Sequence, residues 1–228
     1  MPTVAITGAA GAIGSTTAQV FANAGWDLAL VDYGAENLEA MQSAHPSALT
    51  FDCNLLDAAA TRDVFQTIGT DGEGLDAVLA IAGGFAMQAA DAASMEDYTH
   101  MMEMNVQTLF NTARAALPVL TQQDHSFLCG VSAPAAENGQ AQAALYAASK
   151  GAVASYCKSL DAEFRTDGLR VSVLYPMGVV DTPANRDAMP DADPTTWITP
   201  TELADGLLHL ATRSPQGHVP ELKVHAVA

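Results

Sequence analysis

The sequence predicts a doubly wound α/β fold: a parallel sheet of about seven strands with helices on both faces. Three observations carry this expectation. Short β-branched and apolar runs alternate with helical stretches from one end of the chain to the other. The runs at 3–7 and 126–131 are continuously apolar or small, as strands buried on both faces should be. A glycine-rich turn joins the first run to the first helical stretch, with an acid at the end of the second run.

In chain order, strands are expected at 3–7, 27–32, 48–52, 75–81, 126–131, 169–175 and 221–227. Helices are expected at 12–24, 35–44, 57–68, 95–122, 143–166 and 201–212. No linker, repeat or low-complexity tract interrupts the series, so residues 1–228 read as one domain. The helix at 143–166 carries Leu145, Ala148, Val153, Tyr156, Leu160 and Phe164 on several faces. A helix laid on a sheet needs only one apolar face. The spare faces of 95–122 and 143–166 are therefore expected to meet a second copy, giving a dimer or a tetramer. Residues 176–200 break the alternation with Pro176, Pro183, Pro190, Pro194 and Pro200. A long connection after the sixth strand is placed to act as a substrate lid, near 181–198.

Charge narrows the partners. The net charge of −17 comes from 26 acids against 9 bases. Such a field repels phosphate backbones and anionic lipid, so neither nucleic acid nor a membrane surface is expected. No apolar run approaches the roughly 20 residues of a membrane span, and no charged-then-apolar leader opens the chain. The three cysteines, Cys53, Cys129 and Cys157, are odd in number and widely spaced. This fits a reducing cytoplasm rather than a disulfide framework or a zinc site. The histidines are scattered without metal-ligand spacing, and the lid acids Asp187, Asp191 and Asp193 read as a solvated turn segment, so no metal is expected.

Two motifs carry chemistry. In Thr7-Gly8-Ala9-Ala10-Gly11-Ala12-Ile13-Gly14 the glycines let the turn tighten. A pyrophosphate can then reach the helix N-terminus near Gly8, Gly11, Ala12, Ile13 and Gly14. Asp32 follows 18 residues after Gly14. An acid there hydrogen-bonds a ribose 2′-hydroxyl and repels a 2′-phosphate, so NAD(H) is expected over NADP(H). The second motif is Tyr146-Ala147-Ala148-Ser149-Lys150. Residues four apart share a helix face, and an adjacent ammonium lowers a phenol pKa. Tyr146 can then exchange a proton with a substrate while hydride moves.

Over roughly residues 3–227 these features together resemble the short-chain dehydrogenase/reductase family, with its Rossmann-type fold and NAD(P)-dependent oxidoreductase activity. The resemblance implies roles at further positions. Asp52 would contact adenine, with Cys53 beside it. Ala82 and Gly83 would border the cofactor. Asn105 would hold a water in a proton relay. Thr182 would meet the nicotinamide carboxamide, and Val180, Tyr146 and Lys150 would also contact the cofactor.

The chain departs from the family pattern in three places. Ala80-Ile81-Ala82-Gly83 stands where the family shows Asn-Asn-Ala-Gly. Met177 takes a proline position. The catalytic serine, usually thirteen residues before the tyrosine, is Ala133, with Ser132 one residue too early. Ser132 is thus a doubtful catalytic residue, expected to point away from substrate. The stretch from Asp181 to Pro200, with Ala82-Gly83-Gly84-Phe85, is similar to quinonoid dihydropteridine reductase. The expected substrate is a small carbonyl, alcohol or quinonoid compound. A non-catalytic dinucleotide sensor is the alternative, although binding alone would not require Tyr146, Lys150 and Asn105.

Overall fold

The computed structural model describes residues 1–71 and 74–226. Seven parallel strands form one sheet: β1 (Thr3–Thr7), β2 (Asp27–Asp32), β3 (Leu49–Asp52), β4 (Ala77–Ala80), β5 (Ser126–Val131), β6 (Leu169–Met177) and β7 (Glu221–His225). Their spatial order is β3-β2-β1-β4-β5-β6-β7. The chain winds outward from β1 through β2 to β3, then returns to β4 on the other side of β1. This reversal opens a crevice at the carboxyl ends of β1 and β4, where doubly wound sheets bind ligands.

Helices α1 (Ala12–Asn23) and α2 (Ala35–Ala44) cover one face, together with α9 (Pro200–Ala211). There Phe21, Met41, Leu203 and Leu207 pack against Ile6, Leu30 and Leu79. On the opposite face lie α3 (Ala58–Asp71), α5 (Thr108–Leu120) and α7 (Ala144–Phe164). Here Phe65, Ile68, Leu120, Val153 and Leu160 pack against Val78, Leu128 and Val171. Strands β1 and β4 are buried along their whole length, as central parallel strands must be, while edge strand β7 alternates in exposure.

Most element boundaries fall within about two residues of the expected ones, with differences that have local causes. Strand β6 runs on to Met177 because β7 pairs with it as far as Met177↔His225. The expected end of the last strand, Val227, lies outside the described residues. The helix expected at 95–122 is three pieces: α4 (Met95–Met102), a π-turn (Glu103–Gln107) and α5. Helix α4 opens with a capping box in which Ser94 and Asp97 satisfy each other's backbone amides. Two short helices, α6 (Ala135–Asn138) and α8 (Pro183–Ala188), lie in stretches expected to be irregular. Neither is long enough to show periodicity.

The apolar spread of α7 also resolves differently. Val153 and Leu160 are buried and Tyr156 and Phe164 half-buried, whereas the outward residues include the small Ala148, Ser155, Ser159 and Ala162 together with the charged Lys158 and Glu163. No helix among the described residues is long and apolar enough to cross a membrane.

Candidate active site

The crevice begins at the glycine turn. Gly8 adopts φ +67°, and a Cβ there would lie 2.9 Å from the backbone of Ala82. Only glycine lets the tips of β1 and β4 come this close. At Gly14, in the first turn of α1, a Cβ would collide with the carbonyl oxygen of Gly8. Helix α1 has Gly11 as its N-cap and no side chain capping it. The first-turn amides of Ala12, Ile13 and Gly14 therefore have no N-cap side chain as acceptor, an arrangement that fits a pyrophosphate.

Asp32 is tied to this turn. Its two carboxylate oxygens accept from the amides of Ala10 and Tyr33, each at 2.7 Å. Asp52 accepts from the amide of Gly34 at 2.9 Å, and Cys53 lines the crevice. Burial pushes the Cys53 thiol up, so it is an inert wall rather than a reactive group. Tyr33, which the sequence did not single out, lines the crevice beside Asp32 with its side chain 71% exposed. An aromatic directly after a strand-end acid was the only signal that could have found it.

The missing Asn pair is offset in part by Thr7, whose hydroxyl oxygen accepts from the amide of Ala82 at 3.3 Å. Gly83 forms the floor, since a Cβ there would lie 2.6 Å from Asn105 Oδ1 and 3.3 Å from Lys150 Nζ. Asn105 sits buried in the π-turn, a bulge that recurs at functional sites. Its Oδ1 accepts from Gly84 N at 3.0 Å, and its Nδ2 donates to Gly84 O at 3.1 Å and to Ser149 Oγ at 3.2 Å. The Asn105 amide thus braces three segments at once.

Tyr146 and Lys150 lie one turn apart on α7. Phe85 meets the Tyr146 ring edge-on, with centroids 4.8 Å apart. Lys150 is buried, and desolvation pulls its pKa down to about 8. Its Nζ donates to the carbonyl of Val131 at 3.0 Å and stands 6.0 Å from the centre of the Tyr146 ring. Burial pushes the Tyr146 phenol up to about 12. This corrects the expectation that the lysine lowers it: in this arrangement desolvation outweighs a charge turned toward Val131.

Ser132 Oγ donates to the carbonyl of Lys150 at 2.8 Å, and the neighbouring Ala133 is buried. Thr182 caps α8, its hydroxyl oxygen accepting from Asn185 N at 3.2 Å. Val180 bridges to Ile198 and closes the 181–198 segment into a loop. In that loop Arg186 forms a two-point ion pair with Asp181, at 2.6 and 2.8 Å. Asp193 caps a short 3₁₀ turn. No group of three or more metal-ligating side chains occurs among the described residues.

A family model described as short chain dehydrogenase matches residues 2–193. This chain belongs to the short-chain dehydrogenase family. An uncharacterised oxidoreductase of Staphylococcus saprophyticus is 24% identical over 227 residues, spanning 97% of this chain and 96% of that protein. Among solved structures, an NADPH-bound short chain oxidoreductase from Pseudomonas aeruginosa PAO1, described as containing an atypical catalytic center, superposes with a TM-score of 0.89. It is 20% identical and covers 98% of this chain and 95% of that one. A 3-ketoacyl-(acyl-carrier-protein) reductase from Brucella melitensis complexed with NADH superposes with a TM-score of 0.87. It is 22% identical, with coverages of 98% and 96%. The chain is therefore an oxidoreductase of the short-chain dehydrogenase family, whose structures hold nicotinamide cofactors of both kinds.

Proposed function

We propose that this short-chain dehydrogenase transfers hydride between NAD(H) and a small carbonyl, alcohol or quinonoid substrate. The observation that carries the reading is the placement of Tyr146 beside a buried Lys150 at the far end of the glycine crevice. The amides after Gly11 would hold the pyrophosphate, Asp32 a ribose, and Ala82, Gly83, Val180 and Thr182 the nicotinamide half. Bound there, the nicotinamide would supply or accept the hydride.

Tyr146, protonated at neutral pH, gives its proton to the substrate oxygen in the reductive direction. Lys150 supplies the positive field that stabilises the phenolate left behind. Phe85 and the 181–198 lid exclude water from the reacting atoms. With Ala133 in place of a serine, a substrate needing little polarisation of its oxygen suits the site, and the lid resemblance puts a quinonoid dihydropterin among the compounds to try. The test is to mix the protein with NADH and a panel of carbonyl and quinonoid compounds and follow loss of absorbance. Tight cofactor binding with no turnover of any of them would favour a dinucleotide sensor.

Asp32 supports a preference between cofactors. Its carboxylate is held at the turn by two amides, and a 2′-phosphate would meet it directly. NADH is expected to bind more tightly than NADPH in calorimetry, and equal affinities would overturn the assignment of Asp32.

A second surface supports self-association. A groove between α4, α5 and α7 is lined by Tyr98, Met102, Val106, Phe110 and Tyr156, with Tyr98 and Phe110 each more than 40% exposed. Small outward residues on α7 let another helix pair approach closely. A dimer, or a tetramer of such dimers, is expected by light scattering at micromolar concentration. Phe110→Asp is expected to yield monomer, and a monomeric wild-type protein would remove the proposal. The three cysteines, all buried and free, fit a cytoplasmic protein.

A further inference from the structure

One buried hydroxyl beside the site has no part in the chemistry described above. Ser132 is 2% exposed at the carboxyl end of β5. Its amide donates to Leu174 O in β6 at 2.9 Å, which ties it to the sheet. Its Oγ donates at 2.8 Å to the backbone carbonyl of Lys150, across the gap between β5 and α7. One residue earlier, the carbonyl of Val131 accepts the Lys150 ammonium at 3.0 Å. Two consecutive residues, the last of β5 and the one after it, therefore grip Lys150 at both ends, backbone and side chain.

The gap is narrow enough for this because residue 130 is glycine: a Cβ there would lie 2.6 Å from Cys157 Sγ on α7. The grip also matters more here than a hydrogen bond usually does. No carboxylate pairs with Lys150 among the described residues, so its ammonium is placed by packing and by these bonds alone.

We infer that Ser132 is a positioning residue: its hydroxyl sets where Lys150 sits beneath Tyr146, acting through the backbone of α7 and not on the substrate. The inference rests on the Tyr146–Lys150 reading, and it gives a role to a serine that stands one residue short of the position from which it could reach a substrate oxygen. Losing the hydroxyl frees the Lys150 turn to drift from β5, which lengthens the Nζ contact to Val131 and admits water to the ammonium.

The experiment uses the full chain grown with lysine labelled with carbon-13 at Cε. The sequence holds only Lys150, Lys158 and Lys223, so three signals appear, and Lys150→Met assigns the buried one. In Ser132→Ala the Lys150 signal is expected to titrate at higher pH than in wild type. Turnover should fall about fivefold, the scale of one lost neutral hydrogen bond. The alkaline limb of the pH–rate profile is expected to move with the lysine, and Ser132→Thr, which keeps the donor, to restore all three. A loss of about a hundredfold or more with the Lys150 signal unmoved would show that Ser132 touches substrate and overturn the proposal. An unmoved signal with unchanged turnover would overturn it as well. The titration needs no substrate. If no compound were turned over, the hydride-transfer reading would fail while the lysine signal still decided the role of Ser132.

Discussion

Tyr146→Phe is expected to lower turnover by about 10²–10⁴, the range of a lost general acid, while leaving NADH affinity within about twofold. The ring stays, so the edge-on contact with Phe85 at 4.8 Å and the packing of α7 survive. Only the proton is removed. Because burial pushes the phenol up to about 12, it is protonated throughout the neutral range. Reduction should therefore be nearly independent of pH around neutrality. Oxidation, which needs the phenolate, should rise with pH. Steady-state rates of both directions across a pH series, with calorimetry for NADH, check this. A variant retaining more than about a tenth of wild-type turnover would mean that another group delivers the proton.

Lys150→Met is expected to abolish turnover and, at pH 7, to make the protein more stable. Desolvation lowers the Lys150 pKa from 10.5 in the unfolded chain to about 8 in the fold. Below pH 8 the lysine is charged in both states, and the folded state bears the full burial penalty, on the order of 3 kcal/mol for a shift of this size. As pH rises from about 8 to 10.5 the folded protein has shed the proton and the unfolded chain follows, so the penalty fades.

Methionine fills the same space without a charge. It gives up the bond to Val131, which returns part of the gain. A net rise of a few degrees in Tm is expected at pH 7, at about 2–4 °C per kcal/mol for a chain of this size, shrinking to little above pH 10. A Tm at pH 7 equal to or below wild type would mean that the ammonium is compensated by a partner the fold does not show. Stability given up at an active site in this way is the usual trade for a poised charge.

Both predictions concern residues that the sequence alone singles out. Tyr146 and Lys150 are visible because four-residue spacing on a helix is a local property. The same holds for Gly8, Gly14 and Asp32, where strand, turn and helix follow one another within about 30 residues. Asn105 was legible as a residue but not as an object. The sequence offered one long helix over 95–122, whereas the chain makes a π-turn over Glu103–Gln107 in the middle of it. The Asn105 amide bonds there to Gly84 and Ser149, residues distant in sequence that periodicity could not bring into view. Asp52 is similar: its carboxylate accepts from the Gly34 amide on the neighbouring strand's turn, while Cys53 lines the crevice.

The repeating pattern of apolar runs and glycine turns was sufficient for the α/β class, the parallel sheet, the crevice and the tyrosine–lysine pair. Each of these depends on neighbours in the chain, and short-range sterics and hydrogen bonding are written in residue order. The edge-on Phe85 against Tyr146, the exposed ring of Tyr33 in the crevice, the direction of the phenol pKa and the grip of Val131 and Ser132 on Lys150 came from the folded arrangement. They depend on how closely β5 and α7 approach and on how much water their packing excludes. Those quantities are summed over contacts between segments far apart in the chain, and no stretch of sequence states them.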